Sequence, residues 1–347
     1  MMQLSDRIGL LCQDNKVLKK QGSILGVQKI WNSFYAYMAQ AMVILNEHIR
    51  RRHPARFTLY RVLDFIVLEL DYLDSPWRAH MRGLIALVDL YGGLTSVLGR
   101  ENESPMPGMR IALCIGISCN STSPTTDQLS GMEHWTDDEC VRVFNSHIVF
   151  SLPCPTTLFL AMRHITHLRI AASEAPHSST PNLIAAAKSI ALEICTFSPE
   201  NWVRDPHVLT SKAAKAYARA FKTAMILYAV LSLPKKLAQP FIDDRRGSRH
   251  ARLYYRSALW TAISHTNDIP SPRSTMGWPL AVLGASYWDG PAQDQAVILH
   301  ELDDIRYGVP GVTSAPVALS QTLYMFWQSG KTRWDDCFTR PISVLMA

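Results

Sequence analysis

The sequence lacks the short motifs that mark nucleotide-binding loops and nucleophile turns. It contains no Gly-x-Gly-x-x-Gly run and no Gly-Lys-Ser run, so no phosphate-binding loop is predicted. The nearest approach to a nucleophile turn, Gly284-Ala285-Ser286-Tyr287-Trp288, has no closing glycine and lies in a helical pattern. We therefore predict no catalytic residue and no cofactor, and the sequence favours a protein that is not an enzyme.

Cysteine is sparse and scattered, which argues against a disulfide framework and against a structural metal site. The seven cysteines are odd in number, and a chain of 347 residues needs no disulfide for stability. They are interpreted as reduced thiols of an intracellular protein. Cys114 and Cys119 have no second pair to complete a tetrahedral site, and arginines next to His164 and His167 would repel a cation. No metal ligand is predicted.

Paired carboxylates and tryptophans are the remaining candidates for a site. Neither Asp243-Asp244 nor Asp303-Asp304 is followed by the further acid, three or four residues on, that a magnesium-diphosphate site needs. Both pairs are interpreted as exposed to solvent. The nine tryptophans have no basic stripe between them, so we expect most of them to anchor the core and not to contact nucleic acid.

Charge of either sign is modest. The chain has 35 Lys and Arg against 29 Asp and Glu, with 18% charged and 48% hydrophobic residues. This composition indicates a globular protein whose rather apolar surface is covered in part by partners. Basic residues concentrate in two clusters, Arg50-Arg51-Arg52-His53 with Arg56, and Arg245-Arg246 with Arg249, His250 and Arg252. We interpret both as solvated helix ends, with a nuclear-import or phosphate-contacting patch as the alternative.

Long apolar runs suited to a membrane are also missing. Two charge-free runs, Val143–Met162 and Val309–Gly330, approach the length of a membrane span, but both contain prolines and polar residues. The first residues of the chain have no apolar core before a small-residue cleavage site. We therefore expect a soluble protein that is not secreted and does not enter a membrane.

Helical periodicity is what the sequence has in abundance. Apolar residues recur at spacings of three and four along almost the whole chain, and strand-like alternation is scarce. The predicted helices are Gln28–Arg51, Phe57–Leu73, one ending at Tyr91, Thr136–Phe150, one continuing through Ala172, one from Pro181 to about Phe197, Ser211–Leu233, Ser248–Ser264, Trp278–Trp288, Pro291–Tyr307 and Ala315–Gln328. The predicted fold is all-α, an irregular multi-helix domain of about ten or more helices.

One segment interrupts the helical periodicity. Residues 101–130 are rich in Pro, Gly, Ser and Thr and are predicted to form a loop or insertion. An apolar island within them, Ile111–Ile117, is either a buried turn of helix or a lone strand. The predicted organisation is an N-terminal extension over 1–27 and a single helical domain over 28–347.

Four groups of residues resemble segments of the fungal-specific transcription factor domain, the helical regulatory region of fungal zinc-cluster regulators. They are Trp77-x-x-His80-x-x-Gly83 ending in Gly92-Gly93, Leu152-Pro153 leading into Leu158–Arg169, Lys215–Phe221 with Ile226-Leu227-Tyr228, and the tail pair Met276–Ala285 and Phe326–Asp335. They occur in the order of that family and cover the chain from about residue 28 to its end.

The residues of these motifs make sense as packing elements. Gly83 and Gly284 would let a neighbouring helix approach closely, and Trp278-Pro279 would start a helix with a large anchor. Gly92-Gly93 would end a helix. None of these positions offers a nucleophile, a base or a metal ligand, so the resemblance implies a scaffold for partners or a small effector.

The sequence departs from the family in one respect. Its regulators usually carry an N-terminal cluster of six cysteines that holds two zinc ions and docks a helix on DNA. Here only Cys12 precedes Cys114, so that module cannot form from these residues and direct sequence-specific DNA binding is not expected of this chain alone.

The resemblance implies a transcription regulator-like protein of the nucleus, or otherwise of the cytoplasm, linked to fungal secondary-metabolite gene regulation. It would act through protein partners, such as another transcription factor or a second copy of itself, or through a small apolar effector. The residues leave a second reading open. The same helical scaffold could form a cofactor-free cyclase or isomerase of a biosynthetic pathway, because such chemistry needs only an apolar cavity with a few placed polar groups.

Overall fold

The computed structural model describes residues 25–51, 55–70, 77–99, 107–145, 154–174, 180–203, 212–242, 247–266, 273–308, 314–342 and 344, and that part of the chain is helical without a strand. The all-α prediction is therefore confirmed. None of the helices in this part has the length and apolarity needed to span a bilayer.

Sixteen α-helices lie in the described ranges, with single 3₁₀ turns at Met132–His134, Gln239–Phe241 and Arg273–Met276. The first eight are α1 (Leu25–Arg50), α2 (Ala55–Leu70), α3 (Trp77–Leu90), α4 (Leu94–Leu98), α5 (Pro107–Ser121), α6 (Asp137–Phe144), α7 (Thr156–Glu174) and α8 (Pro181–Thr196). The other eight are α9 (Pro199–Trp202), α10 (Lys212–Ser232), α11 (Lys235–Ala238), α12 (Ser248–Ser264), α13 (Gly277–Ala285), α14 (Ala292–Gly308), α15 (Ser314–Gln328) and α16 (Trp334–Cys337).

The stretch 101–130, expected to be a loop, contains helix α5. Its apolar island is buried almost throughout, so the helical alternative holds and the strand alternative does not. The prediction failed here because Pro107 and Gly108, which look like loop signals, stand in the first turn of the helix. Proline is tolerated there, and a side chain at Gly108 would overlap Leu63.

The predicted N-terminal extension over 1–27 overlaps the described helices at its end. Helix α1 begins at Leu25, so the last three residues of that stretch are helical. The preceding residues lie outside the described part of the chain.

The chain groups into two compact units, the first formed by 1–112, 129–147 and 310–314 and the second by 113–128, 148–309 and 315–347. That 28–347 form a single domain stays a prediction.

In the first unit, α2 packs between α1 and α3, and α4 packs against both α3 and α6. A capping box at Thr136 and Glu139 starts α6, and the Glu139 carboxylate also accepts the backbone N–H of Thr95 at 2.9 Å.

Helix α10 is the centre of the second unit. It packs against α7, α8, α12 and α13. Its buried face alternates small and large residues, since Ala218, Ala220 and Ala224 are fully buried beside Tyr217 and Phe221. Small side chains let neighbouring helices approach, and the aromatic side chains fill the space between them.

The glycines of the family motifs have different roles. Gly92 and Gly93 have φ of 91° and 89° and end helix α3, as predicted. Gly284 packs against Leu323 so closely that a Cβ would overlap it, which agrees with the expected close approach. Gly83 is exposed and a Cβ there would meet nothing within 4 Å, so the expectation of close packing at Gly83 is wrong.

Gly284 and Gly83 give a matched pair of substitutions. We expect Gly284→Ala to destabilise the fold by roughly 1–3 kcal/mol, because Leu323 is fully buried and cannot move aside without strain. Gly83→Ala should stabilise it by roughly 0.5–1 kcal/mol, because alanine loses less backbone entropy in an exposed helix. Urea unfolding of the two variants measures the change in the free energy of unfolding for each. Equal changes would contradict the difference in packing at Gly284 and Gly83.

Candidate functional site

The tail motifs converge on the end of helix α5, around Ser121. Trp278 Nε1 donates to Ser121 Oγ at 2.7 Å, and Trp334 Nε1 donates to the carbonyl oxygen of Ser121 at 2.8 Å. Ser121 is fully buried. We call Ser121, Arg169, Trp278, Trp334 and Asp335 the Ser121 junction. It joins residues that lie more than 200 positions apart along the chain.

Arg169 supplies the positive charge of the junction. Its guanidinium donates to the carbonyl oxygens of Asn120 at 3.0 Å, Ser121 at 3.3 Å and Ser123 at 2.7 Å. The side chain is 3% exposed, and Asp335 lies 3.3 Å from its Nη1. Carbonyl groups at a helix C-terminus have no partner within the helix and carry partial negative charge. Arg169 therefore caps the C-terminal end of α5.

Tyr228 of α10 lies between the two tryptophans. Its ring meets Trp278 edge-on at 5.7 Å between centroids and tilts against Trp334 at 4.8 Å. Its hydroxyl is 2.9 Å from Thr166 Oγ1. Burial raises the pKa of Tyr228, and the charge of Arg169 opposes that rise. The phenol therefore stays protonated at neutral pH and serves as a hydrogen-bonding group.

The described residues near Ile342 are attached at the same place. Thr122 Oγ1 donates to the carbonyl oxygen of Ile342 at 2.8 Å, and Trp334 packs on Phe338 with centroids 4.6 Å apart. Burial raises the pKa of Asp335 despite its arginine neighbour. The junction thus ties α5, α7, α10, α13 and α16 into one core and is suited to structural support.

A second cluster surrounds Arg252 on α12. Its guanidinium pairs with both carboxylate oxygens of Asp289, donates to the carbonyl oxygen of Ser286 at 2.6 Å, and lies 4.0 Å from the ring centroid of Trp288. Arg256 also reaches Asp289, at 3.2 Å. The hydrogen bond from Arg252 is the main reason why the pKa of Asp289 is lowered.

This cluster explains the motif that resembled a nucleophile turn. Ser286 is fully buried, and its hydroxyl donates to the carbonyl oxygen of Leu283 at 2.6 Å. It therefore stands at the end of helix α13, where a serine hydroxyl satisfies a terminal carbonyl. The residue is placed for helix capping and has no exposed oxygen with which to attack a substrate.

The two basic clusters differ in structure. Arg50 and Arg51 lie at the exposed end of α1 and pair with Glu47, which agrees with a solvated helix end. In the second cluster, Arg249 and His250 are exposed, but they stand at the start of α12 and Arg252 is buried. The helix-end interpretation is wrong for Arg252, because its charge is balanced by Asp289. Four positions of these clusters lie outside the described residues, namely Arg52, His53, Arg245 and Arg246. Arg56 lies in helix α2 but is described without its side chain.

The candidate metal ligands are spread over the described helices. Cys114 and Cys119 are buried in α5, and His164 and His167 are half-buried in α7. In the described ranges, no three His, Cys, Asp or Glu side chains are close enough to hold a metal ion. That the protein has no catalytic, cofactor or metal residue stays a prediction.

The paired aspartates have separate surroundings. Asp303 is exposed, and Asp304 lies 3.4 Å from His300 one turn earlier in α14. Asp243-Asp244 lie outside the described part of the chain, as do Leu152-Pro153 of the second family motif.

Reasoning from the sequence missed the polar partners in both clusters. One signal was present, since Arg163 and Arg169 are spaced like the apolar residues of their helix, and a charge on such a side is buried only with a partner. The partners themselves, Ser121 and Asp335, are not recognisable locally. They become neighbours of Arg169 only in the folded chain.

Comparison with known proteins shows what this chain is similar to. The profile of the family described as "Fungal specific transcription factor domain" matches residues 65–329. The chain is 24% identical over 352 aligned residues to the "Phomenoic acid biosynthesis cluster-specific transcriptional regulator" of Leptosphaeria maculans. That match covers 98% of this chain and 65% of the relative, so the chain spans less than two thirds of the relative's length. No solved structure matches significantly.

The bond between Ser121 and Trp278 can be tested by a double-mutant cycle. We expect Ser121→Ala to cost roughly 1–3 kcal/mol, because the buried Trp278 N–H loses its acceptor. Trp278→Phe removes the donor, so the double variant should cost about 1 kcal/mol less than the sum of the two. Urea unfolding measures all three.

Ser173 offers the control for that cycle. It is exposed and donates within its own helix, to the carbonyl oxygen of Ile170 at 2.7 Å. Ser173→Ala combined with Trp278→Phe should therefore be additive. Additivity in the Ser121 cycle would contradict a direct bond between the two side chains.

The lowered pKa of Asp289 predicts a pH dependence of stability. A carboxyl whose pKa is lower in the folded state stabilises the fold fully above its unfolded pKa of about 3.8, and this contribution is lost as the pH falls towards the folded pKa. We expect Asp289→Asn to be less stable than the unaltered chain at pH 7 and the difference to shrink below about pH 4. Urea unfolding at pH 7, 5 and 3 checks this, and a constant difference would refute it.

Proposed function

The chain belongs to the fungal-specific transcription factor domain family, and on that basis we propose that it is the regulatory helical part of a transcription regulator that controls a fungal secondary-metabolite gene cluster. The relation to a cluster-specific regulator along nearly the whole chain is the observation that carries this proposal. The action on a gene cluster, the nuclear location and the partners are all parts of the proposal.

The positions of the family residues support a scaffold that acts through its surfaces. Trp278, Trp334 and Gly284 are buried, and their contacts are with other parts of the same core. A scaffold of this kind holds helices in fixed positions, so that regulation depends on what binds to its exterior or between its helices. Protein association, or a small apolar effector, is therefore the proposed mode of action.

Contact with promoters is proposed to be indirect for this chain. Its formal charge of +6 on 347 residues supplies only weak, salt-sensitive attraction to DNA. Residues that read base edges are therefore expected to come from a partner, and the chain would reach a promoter through that partner.

The proposal is tested by changing the amount of the protein in its source organism. We expect overexpression to raise, and deletion to lower, the transcripts of one contiguous set of biosynthetic genes, and chromatin immunoprecipitation to recover their promoters. RNA sequencing and occupancy profiling measure both effects. A strain carrying a frameshifted copy of the gene in the same vector is the control.

Two results would overturn this proposal. One is the absence of any promoter association together with unchanged transcripts. The other is turnover of a pathway metabolite by the purified chain, which would assign the scaffold to an enzyme. A gel shift with the purified chain on a promoter fragment and on an unrelated fragment of equal length separates weak attraction to DNA from specific binding, and we expect the two fragments to bind equally.

A further inference from the structure

One side of helix α1 is largely apolar and is not covered by the rest of the described chain. Tyr37 is 66% exposed, Val43 69% and Ile44 49%, and Ala36 and Gln40 are exposed as well. We call these five residues the α1 face. No charged residue occurs from position 32 to position 46, so the face is neutral over about four turns. An apolar face of this kind on a helix indicates a contact that buries it.

The other sides of helix α1 are a side that packs against α2 and a side that carries a polar residue. Leu45 is 5% exposed and lies on the side of α1 that packs against α2. Tyr35 is exposed too, at 62%, but it lies about 140° around the helix from Gln40, on the side of the polar residue Asn46. The α1 face is therefore distinct from both the core side and the polar side.

The α1 face is arranged symmetrically about its one polar residue. Tyr37 and Val43 lie three positions before and after Gln40, and Ala36 and Ile44 lie four positions before and after it. Residues three and four apart are neighbours on a helix, so Gln40 stands at the centre of the face with an apolar pair on each side. Tyr37 and Ile44 form one edge of the face, and Ala36 and Val43 form the other.

We propose that the α1 face is where two copies of this chain associate, with the two α1 helices antiparallel about a two-fold axis that passes between the two Gln40 residues. This symmetry places Tyr37 of one copy beside Ile44 of the other, and Ala36 beside Val43, because each of these residues lies about one turn from the axis. Small Ala36 leaves room for its larger partner, so the two helices can approach closely.

The central glutamine favours a second copy as the occupant. A purely apolar partner would leave the Gln40 amide without a hydrogen-bonding partner in the middle of the contact, and an unsatisfied buried amide is costly. A carboxamide carries both a donor and an acceptor, so two of them facing each other across a two-fold axis satisfy one another. A single polar residue at the centre of an apolar helix contact also fixes its register.

The charge distribution is compatible with the same occupant. Two chains with a formal charge of +6 repel one another, so a stable contact between them needs a central region without charge. The α1 face meets that need, and the nearest charge on its C-terminal side, Glu47, is already paired with Arg50 and Arg51. The neutral face offers no charge for a strongly acidic or basic partner to recognise.

The exposed area is of the size that a dimer requires. The four apolar side chains of the face present roughly 400 Å² of surface, with the largest share from Tyr37. A standard interface buries about 800 Å² on each partner, of which slightly more than half is apolar. The face with its polar rim therefore suffices for a moderate, reversible dimer. This inference stands independently of the proposed function.

Charge substitutions test both the contact and its register. The full chain is expected to sediment as a dimer at about 100 µM. Ile44→Lys and Tyr37→Glu should each raise the dimer dissociation constant by about tenfold or more, since each places a charge in the apolar contact. Combining the two should restore the dimer, because the new carboxylate of one copy would face the new ammonium group of the other. Salt at about 0.5 M should weaken this restored dimer.

The control is Tyr35→Glu, which adds the same charge away from the α1 face and should leave the dissociation constant unchanged. Analytical ultracentrifugation measures all four variants, with circular dichroism to establish that each is folded. The proposal is overturned if the unaltered chain is a monomer at about 100 µM. It is equally overturned if neither single variant weakens the dimer, or if the double variant is no tighter than the single ones.

A cysteine cross-link provides a test that needs no charge in the helix. In a background carrying Cys12→Ser and Cys195→Ser, Gln40→Cys should form a disulfide between two copies under mild oxidation, located at position 40 by mass spectrometry. Tyr35→Cys should not. Failure of the position 40 link, or equal linking at both positions, would refute the antiparallel contact even if a charge variant failed to fold. Binding of a different protein by a monomeric chain would also refute it.

Discussion

The fold of the second unit depends on hydrogen bonds to the buried carbonyl groups at the C-terminal end of helix α5. The last carbonyl groups of α5 are buried, where water cannot reach them, and buried carbonyls without partners would cost several kcal/mol. Arg169 and Trp334 supply the donors, at 2.7 to 3.3 Å. Because these donors come from α7 and from the tail, the helices cannot separate without exposing the unpaired end of α5 as well.

That constraint gives physical meaning to the tail motif of the family. Tryptophan side chains often indicate a contact with a ligand or with nucleic acid. Here Trp278 and Trp334 both direct their indole N–H groups at Ser121. Gly284 serves the same core, because its carbonyl oxygen accepts from Trp327 Nε1 at 2.9 Å and its missing side chain admits Leu323. Motifs of this kind fix the packing of a scaffold, which supports the proposal that the scaffold acts through surfaces outside the motifs.

The described surface of this chain includes exposed apolar side chains that the core does not cover. Helix α1 is neutral over its middle and exposes large apolar side chains, whereas other parts of the described surface carry ion pairs, such as those of Glu200 with Lys215 and Arg219. Such an arrangement suits a regulator whose activity depends on association. The buried clusters keep the helices fixed, and the uncovered face leaves a position for a partner.

Periodicity alone was enough to predict most of the longer helices of this protein. Leu259 and Ile263, four residues apart in the predicted helix Ser248–Ser264, both lie in the core, because a spacing of four places side chains on one face whatever the neighbours are. Pro107 and Gly108 misled the prediction, since a helix start and a loop use the same residues and only the packing against Leu63 distinguishes them. The polar partners of Arg169 and Arg252 were decided by tertiary structure alone. A buried charge needs a counterpart, but the folding of the whole chain, which brings together residues far apart in sequence, selects which one.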